Sequence, residues 1–245
     1  MTSALATVAA RISAAARLTI LTGAGVSAAS GVPTFRGREG LWRNFRPEDL
    51  ATAAAFQRDP ALVWEWYRWR RERIARCDPN AAHRVIATWS NGDGCRVITQ
   101  NVDDLHIRAG TRDLVRLHGS IWESKCWRAC GQPPWREDTR GVSPSPASGT
   151  CPACGGLARP GVVWFGESLD PSDVVSALAC CDCDVFLTVG TSAIVHPAAG
   201  LVHEARRRGA FTVEINLEPT PASAVVDVAV HGRAEDILPR LLQGG

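Results

Sequence analysis

The sequence predicts an α/β fold in which a doubly wound parallel sheet carries a small inserted unit. Short apolar runs typical of buried strands alternate with stretches of helical spacing, and a glycine-rich loop directly follows the first run. One segment rich in cysteine, tryptophan, proline and glycine interrupts this alternation. The 45% hydrophobic and 21% charged residues supply the material for a globular core.

Six apolar runs are the predicted strands of the sheet. In chain order they are Leu18–Thr22, Arg96–Thr99, Leu114–Leu117, Val185–Val189, Thr212–Ile215 and Val225–Val230. Three stretches between them have helical spacing, namely Asp59–Ala75, Val174–Ala179 and Ala198–Arg208. Because Arg11 and Arg17 interrupt the apolar N-terminus, we expect a helix there that leads into the first strand, and not a targeting segment.

The composition changes between Ser120 and Pro160, a segment that cannot build a core of its own and needs a cross-link. We therefore expect the parallel sheet to be built from the residues on either side of this segment, and the segment itself to be a small inserted unit. The net charge of +2 indicates neither a nucleic-acid nor a membrane partner, and no apolar run reaches the roughly 18 residues of a membrane span. With no leader recognised, a cytoplasmic location is expected.

Four of the nine cysteines form two pairs, Cys126/Cys130 and Cys151/Cys154. Two such pairs can close a tetrahedral four-thiolate zinc site, which would be structural because no position stays open for water. The first pair has one residue more than the usual spacing, so its turn must bulge, and a degenerate site with fewer ligands is the alternative. The neighbours Cys180, Cys181 and Cys183 are expected to be small buried residues at a helix–strand joint and not a second metal site.

The loop Gly23–Gly37 reads GAGVSAASGVPTFRG and follows a predicted buried strand. Its bare backbone N–H groups at a strand exit can cradle a pyrophosphate, and GAGVSA fits the pattern G-x-G-x-x-G/A of dinucleotide-binding loops. No acidic residue ends a second strand about 20 residues further on, which argues against an ordinary dehydrogenase. The continuation Pro33–Gly37 places an aromatic ring and a cation beside the phosphate cradle. This suggests that the protein binds the far end of a dinucleotide and that a nucleophile attacks the dinucleotide there.

Polar residues replace apolar ones where the predicted strands end. Gln100–Asp104 follows the second strand, and its Asn and Asp side chains could fix an amide such as nicotinamide or position water. An Asx turn capping the next helix is the alternative. His118 ends the next strand at the same edge, where we expect it to be functional, although a lone histidine is more often structural.

Two later strand ends repeat this pattern, VGTS at Val189–Ser192 and INLEP at Ile215–Pro219. Thr191 and Ser192 could hold phosphate or ribose, and Asn216 with Glu218 could accept ribose hydroxyls. Ordinary turn chemistry is the alternative for both segments.

These motifs together resemble the sirtuin family of NAD-dependent protein-lysine deacylases. The resemblance extends from Gly23 to about Leu242 and includes TQNVDDLH, LHGS, the paired cysteines, RPGVVWFGE, VGTS and NLEP, all in family order. Two departures are Ala29, where the family usually has Glu, and the long first cysteine pair.

The resemblance implies NAD as co-substrate, one structural Zn²⁺, and acyl-lysine proteins or peptides bound between two domains. These would be a Rossmann-like domain of residues 1–119 and 161–245 and a small zinc-ribbon domain of residues 120–160, with a helical part from about 38–75. It implies catalytic roles for His118 as general base and for Asn101 and Asp103 in the nicotinamide pocket, with nicotinamide and O-acyl-ADP-ribose as products. The backbone of Val163 would pair with the substrate strand. The implied NAD contacts are Gly23, Ala24, Gly25, Ser27, Thr34, Phe35, Arg36, Trp42, Gln100, Asn101, Val102, Asp103, Gly190, Thr191, Ser192, Asn216, Leu217, Glu218 and Ala234.

The acyl preference is predicted from Tyr67 and Arg70, which share a helix face because they lie three residues apart. A phenol and a guanidinium together can bind a carboxylate, and this Tyr-x-x-Arg resembles the sirtuin branch that removes succinyl and malonyl groups. Thr34, where many deacetylases carry Asp, favours the same branch. A solvated arginine face, which also includes Arg68, Arg71 and Arg73, is the alternative.

Two other functions remain open at this point. A mono-ADP-ribosyltransferase would use the same cleavage of NAD, although the set Asn101, Asp103 and His118 favours deacylation. A non-enzymatic zinc-ribbon binding module is the other alternative, and both the near-neutral charge and the dinucleotide motif argue against it.

Overall fold

The structure is a computed structural model that describes residues 3–33, 47–136 and 149–243. The strands in these ranges are β1 Leu18–Thr22, β2 Cys95–Thr99, β3 Leu114–Arg116, β4 Gly119–Cys126, β5 Trp135–Arg136, β6 Ala158–Val162, β7 Val185–Val189, β8 Phe211–Asn216 and β9 Val228–His231. The α-helices are α1 Ser3–Ala14, α2 Pro47–Leu50, α3 Ala53–Arg58, α4 Pro60–Ala75, α5 Ala81–Ser90, α6 Leu105–Arg108, α7 Pro171–Cys180, α8 Leu201–Arg207 and α9 Ala234–Gln243.

The centre of the molecule is a six-stranded sheet with the order β3-β2-β1-β7-β8-β9, in which every neighbouring pair is parallel. Counted along the chain, this is the strand order 3-2-1-4-5-6 of Rossmann folds. The order reverses between β1 and β7, which pair from Leu18 with Val185 to Thr22 with Val189. Ligands of such sheets bind beyond the carboxyl ends of the strands at this reversal, so Thr22 and Val189 border the expected site.

Two apolar layers cover the parallel sheet. Side chains of α1, α5 and α9, among them Leu5, Ile86 and Leu238, form one buried cluster with strand residues of the sheet. A second buried cluster brings Phe186 of the sheet together with Leu201 of α8 and residues of α7. Strands β1 and β7 are buried along their whole length, as expected for central parallel strands covered on both faces. The prediction of a doubly wound sheet is therefore confirmed.

A smaller antiparallel sheet with the order β5-β4-β6 follows β3 in the chain. A third buried cluster joins it to helices α2–α4, through Phe56, Tyr67, Ile121 and Trp164 among others. The ring centroids of Phe56 and Trp164 lie 5.3 Å apart. Helices α2–α4 and the inserted sheet therefore share one core.

The element ends differ from the predictions where a cap or a turn intervenes. The last strand begins at Val228 and not at Val225, because Pro221–Ala224 form a 3-10 turn capped by the side chain of Thr220. The stretch predicted as one helix from Ala198 begins with a 3-10 turn before α8 starts. Within the described ranges no helix is both long and apolar enough to cross a membrane.

Candidate active site and metal centre

The loops after β1 and β7 approach each other so closely that only glycine fits between them. The N–H of Gly25 donates a 2.8 Å hydrogen bond to the carbonyl of Gly190. A Cβ on Gly25 would lie 2.8 Å from the Cα of Gly190, and one on Gly190 would lie 2.5 Å from the N of Val26. Gly190 also has a φ of 60°. The chain after Gly23 then winds into a 3-10 turn, Ala24–Ser30, at the edge of the sheet.

Asn101, Ser27 and Asp103 form a hydrogen-bonded chain beside this loop. Nδ2 of Asn101 donates to the carbonyl of Gly23 at 3.0 Å and to Oγ of Ser27 at 3.3 Å. The Ser27 hydroxyl donates to Oδ2 of Asp103 at 2.8 Å, and the N–H of Leu105 donates to Oδ1 at 2.9 Å. Both carboxylate oxygens of Asp103 therefore have donors, although the side chain is buried.

His83 completes this chain and was not identified from the sequence. The N–H of Asn80 meets Nδ1 of His83 at 3.3 Å, which makes Nδ1 an acceptor and assigns the ring proton to Nε2. Nε2 in turn lies 3.3 Å from Oγ of Ser27 and acts as the donor. Because Ser27 accepts from both His83 and Asn101, its own proton is directed at Asp103. Burial lowers the pKa of His83 to about 4, which keeps its ring neutral. The available sequence signal was Asn80 three residues before a histidine at a helix start, a capping-box spacing.

Burial raises the pKa of Asp103 above its usual value, because the charged form is poorly solvated in the interior. The hydrogen bonds from Leu105 and Ser27 oppose this effect by stabilising the carboxylate. The hydrogen-bonded chain from Asn80 through His83 and Ser27 therefore supports a negative charge on Asp103 at this edge of the sheet.

His118 lies beyond β3 at the same sheet edge, with its side chain half-buried. Its Nδ1 is 2.9 Å from the carbonyl of Gln100, so Nδ1 carries a proton and Nε2 keeps its lone pair. Burial lowers the pKa of His118, and the carbonyl of Gln100 partly opposes this shift. The arrangement is that of a neutral imidazole whose Nε2 can accept a proton.

The strand ends after β7 and β8 join the same constellation. Nε2 of Gln100 donates to Oγ1 of Thr191 at 2.8 Å, and Nδ2 of Asn216 donates to the carbonyl of Thr191 at 3.2 Å. The other predicted NAD contacts at this edge differ in how far their side chains are exposed to solvent. The described ones that are exposed or half-buried are Ala24, Val102, Ser192, Leu217 and Glu218, whereas Ala234, the first residue of α9, is buried. Thr34, Phe35, Arg36 and Trp42 lie outside the described residues.

Asp104 joins the segment after β2 to the smaller sheet, a role that the sequence did not indicate. Its backbone has a φ of 61°, and its buried carboxylate accepts from Oγ of Ser120 at 2.9 Å. Arg136 of β5 donates to the other carboxylate oxygen at 2.6 Å. The residue next to Asp103 is therefore anchored on two strands of the inserted unit.

Tyr67 and Arg70 lie on one face of α4, as the helical spacing predicts, and both are buried with exposures of 1% and 5%. The indole Nε1 of Trp164 donates to the hydroxyl oxygen of Tyr67 at 2.9 Å. Burial raises the pKa of Tyr67 and lowers that of Arg70, in each case by disfavouring the charged form. The Arg70 guanidinium lies over the ring of Trp66, with Cζ 4.8 Å from its centroid.

The alternative of a solvated arginine face on α4 is wrong for Arg71. Its side chain is buried and donates to the carbonyls of Ile121 and Glu123 in β4. These contacts join α4 to the smaller sheet. Only Arg73 is exposed, and Arg68 is half-buried.

Val163 follows β6 and donates its N–H to the carbonyl of His118 at 3.0 Å. Beyond it, the N–H of Phe165 donates to the carbonyl of Ala51 at 3.0 Å, while the Phe165 side chain is 48% exposed. The segment after β6 therefore runs between His118 and the α2–α4 region.

The four cysteines predicted as metal ligands lie together, with all Sγ atoms within 4.8 Å of one another. Sγ of Cys126 is 3.6 Å from that of Cys154, and Sγ of Cys130 is 3.6 Å from that of Cys151. Tetrahedral zinc with Zn–S bonds of about 2.3 Å requires sulfur atoms about 3.8 Å apart, so the donor set fits zinc. Ala129 takes a φ of 49°, which accommodates the extra residue of the first pair as the predicted bulge.

The other cysteines behave as small buried residues. Cys77, Cys95, Cys180, Cys181 and Cys183 are all buried. Burial raises the pKa of Cys181 to about 12 and that of Cys183 to about 11, so both are protonated thiols at neutral pH. Among the described residues the four-cysteine group is the one cluster able to hold a metal ion.

Comparison with known proteins yields consistent matches over nearly the whole chain. A profile described as the Sir2 family matches residues 23–197. The NAD-dependent protein deacylase of Aeropyrum pernix is 47% identical over 235 residues, which are 95% of this chain and 94% of the relative.

Two solved structures extend the comparison to three dimensions. A mutant Sir2 homologue in complex with ADP-ribose superposes with a TM-score of 0.91 at 41% identity, over 97% of this chain and 95% of that chain. Sir2Af2 bound to a myristoylated histone peptide gives a TM-score of 0.78 at 30% identity, over 100% and 97% of the two chains.

Proposed function

Because this chain belongs to the Sir2 family, we propose that it is an NAD-dependent protein deacylase that removes acyl groups from lysine side chains. The observation that carries the proposal is the polar constellation at the sheet reversal, in which Asn101, Ser27 and Asp103 form one hydrogen-bonded chain near a neutral His118. The relative from Aeropyrum pernix is named a deacylase of this kind, and a similar structure holds ADP-ribose.

In this reaction the acyl oxygen of the modified lysine attacks the ribose carbon of NAD, and nicotinamide leaves. A ribose hydroxyl then attacks the acyl carbon of the resulting imidate, and water releases free lysine and O-acyl-ADP-ribose. His118 Nε2 accepts the ribose hydroxyl proton, since Nδ1 is committed to the carbonyl of Gln100. Asn101 and Asp103 hold the nicotinamide end, and the glycine loop holds the pyrophosphate through its backbone N–H groups. The four cysteines hold a structural zinc ion that stabilises the smaller sheet.

The peptide part of the substrate is proposed to pair with the segment after β6. This segment continues an edge strand of the smaller sheet and contacts His118 through the N–H of Val163. The peptide-bound structure of Sir2Af2 supports an acylated protein tail as the class of substrate. The division into a large domain and a small zinc domain, a cytoplasmic location and the lack of nucleic-acid or membrane partners stay predictions.

Acidic acyl groups such as succinyl and malonyl are the proposed preference, with acetyl as a lesser substrate. The support comes from Tyr67 and Arg70, whose phenol and guanidinium are buried together on α4. Further support is that the carboxylate of Asp103 acts to raise the pKa of Arg70, as expected if the guanidinium faces the nicotinamide end of the site. A substrate carboxylate there would gain a charge-assisted hydrogen bond and an ion pair in a site that excludes water.

The first experiment measures nicotinamide release from NAD with matched succinyl-lysine and acetyl-lysine peptides. We expect a higher kcat/KM with the succinyl peptide, and mass spectrometry should find O-succinyl-ADP-ribose. ADP-ribose attached to a protein acceptor would favour the ADP-ribosyltransferase alternative. The absence of release with either peptide would favour a non-enzymatic binding module.

The second experiment tests the acyl preference by substitution. Tyr67→Phe and Arg70→Met should each lower desuccinylation by about tenfold to a hundredfold more than deacetylation, since each removes a bond to a charged group. The matched control is Arg73→Met, which removes an exposed arginine from the same helix. An equal fall in both activities would mean that Tyr67 and Arg70 only maintain the fold.

A further inference from the structure

The hydroxyl of Tyr67 accepts a hydrogen bond from a group that cannot accept one in return, and this constrains its own proton. Trp164 Nε1 donates to the Tyr67 oxygen at 2.9 Å, and an indole nitrogen has no acceptor capacity. A phenol is both a donor and an acceptor. While its oxygen accepts from Trp164, the phenolic proton must therefore be given to another group that accepts.

In the part of the chain that the structure describes, the Tyr67 hydroxyl donates to no acceptor. The side chain is 1% exposed, so bulk water does not readily serve as that acceptor. Burial raises its pKa, which keeps the phenol protonated at neutral pH. A buried O–H without an acceptor is unfavourable, and a ligand oxygen that enters this site removes the cost.

Trp164 itself is held rigidly, so its indole direction is defined. Its ring is buried at 2% exposure, and Cζ of Arg159 lies 3.5 Å from the ring centroid. Its backbone N–H donates to Oε2 of Glu167 at 2.9 Å, and Glu167 is ion-paired with Arg159. Rigid support of this kind lets one indole N–H determine the orientation of a neighbouring hydroxyl.

We propose that Trp164 is a specificity-determining positioning residue, which occupies a lone pair of Tyr67 and thereby directs the phenolic proton toward a substrate carboxylate. The inference rests on the proposed preference for acidic acyl groups and deepens it. An acetyl group supplies no second oxygen to accept this proton, whereas a succinyl or malonyl group supplies a carboxylate. Trp164 therefore contributes to acyl selection without touching the acyl group.

The test is a double-mutant cycle between Trp164→Phe and Tyr67→Phe, read as kcat/KM on succinyl-lysine and acetyl-lysine peptides. Trp164→Phe keeps an aromatic ring but lacks the N–H, and should lower desuccinylation about tenfold, mainly through KM, with little effect on deacetylation. In the Tyr67→Phe background the same substitution should cost nothing further, because the hydroxyl that it orients is gone. An equal loss in both backgrounds would show a purely structural role and overturn the inference.

The matched control is Trp64→Phe in the same cluster. The Trp64 indole donates to the carbonyl of Ala158 at 3.0 Å and not to Tyr67, so its loss should affect both peptides alike. If the wild-type protein prefers succinyl peptide, and Tyr67→Phe removes this preference while Trp164→Phe does not, the inference fails and the proposed function stands. If the wild-type protein shows no succinyl preference, the acyl proposal and the inference fail together.

A second measurement needs no substitution. Tyr67 is the only tyrosine in the chain, so growth on meta-fluorotyrosine gives a protein with a single fluorine NMR signal next to the hydroxyl. Without NAD, and hence without turnover, the succinyl peptide should shift this signal, and the acetyl peptide should shift it much less. Equal shifts with both peptides, or none with either, would contradict a hydroxyl directed at the acyl carboxylate.

Discussion

The hydroxyl of Ser27 donates a 2.8 Å hydrogen bond to Oδ2 of Asp103, so a residue of the loop after β1 supports a buried carboxylate after β2. The direction of this bond is determined because Ser27 already accepts from Asn101 and from His83. Ser27 and Asp103 are 76 residues apart in sequence, and their hydrogen bond joins the segments that follow the neighbouring strands β1 and β2. This bond is the basis of the first prediction.

Replacing Ser27 by alanine should destabilise the ionised form of Asp103 relative to the protonated form. The pKa of Asp103 is raised by burial and held down in part by this hydroxyl, so its removal raises the pKa further. We expect kcat/KM to fall about tenfold to a hundredfold near neutral pH, and the acidic limb of the pH profile to move to higher pH. Nicotinamide release across the pH range measures both effects. A parallel fall at all pH values would assign Ser27 a role in packing only.

His118→Ala should abolish turnover and leave NAD affinity within a few-fold of wild type. General-base catalysis contributes about a hundredfold to ten-thousandfold, and the imidazole makes one backbone contact, to Gln100. Calorimetric titration with NAD and a nicotinamide-release assay measure the two quantities separately. A variant that no longer binds NAD would show that His118 acts in cofactor binding.

Burial of His118 should also place the acidic limb of the wild-type pH–activity profile at a pH below the ordinary histidine pKa. The folded-state pKa of His118 is lowered, so its neutral, proton-accepting form persists at pH values under about 6.5. The pH dependence of single-turnover acyl transfer is the appropriate measurement. An acidic limb clearly above this value would identify another group as the base.

Acid should destabilise the fold through the buried histidines. Burial, together with the nearby His83, lowers the pKa of His106 to about 3. Below about pH 6.5, His106 binds a proton in the unfolded chain but not in the folded chain. Its contribution to the free energy of unfolding is therefore complete above that pH. It is lost as the pH falls, at about 1.4 kcal/mol per pH unit. Denaturant titrations between about pH 6.5 and 4.5 measure how steeply the free energy of unfolding falls with pH. His106→Gln should remove the His106 contribution to this pH slope. The exposed His203→Gln is the control and should keep the wild-type slope.

Removal of zinc should unfold the smaller sheet. The purified protein is expected to hold one zinc ion per chain, and Cys151→Ser should hold less and lose several kcal/mol of stability, because metal binding is coupled to folding. Metal analysis and thermal unfolding measure the two effects. Cys77→Ser, which changes a buried thiol outside the cluster, should keep full zinc content. Full zinc content in Cys151→Ser would contradict the assigned ligand set.

Much of the architecture follows from local patterns in the chain. The central strands are predicted well because β1 and β7 are short, mostly apolar runs with only threonine as a polar residue, and such runs are typical of strands buried on both faces. The turn chemistry after β8 was less predictable. Buried Glu214 of β8 accepts from Thr220 and Ser223, and this contact holds Pro221–Ala224 in a 3-10 turn directly before the expected strand Val225–Val230. The start of the last strand thus depends on a carboxylate located outside it.

The sequence by itself determined the α/β class, the cysteine set, and the presence of Asn101, Asp103 and His118 at strand ends. Each of these follows from spacing, and spacing depends only on neighbours along the chain. Only the tertiary structure decided which partners orient these groups. His83 reaches Ser27 across 56 residues, and Trp164 reaches Tyr67 across 97. A hydrogen bond depends on the positions of both its atoms, and packing of distant elements sets those positions, so no local pattern contains them.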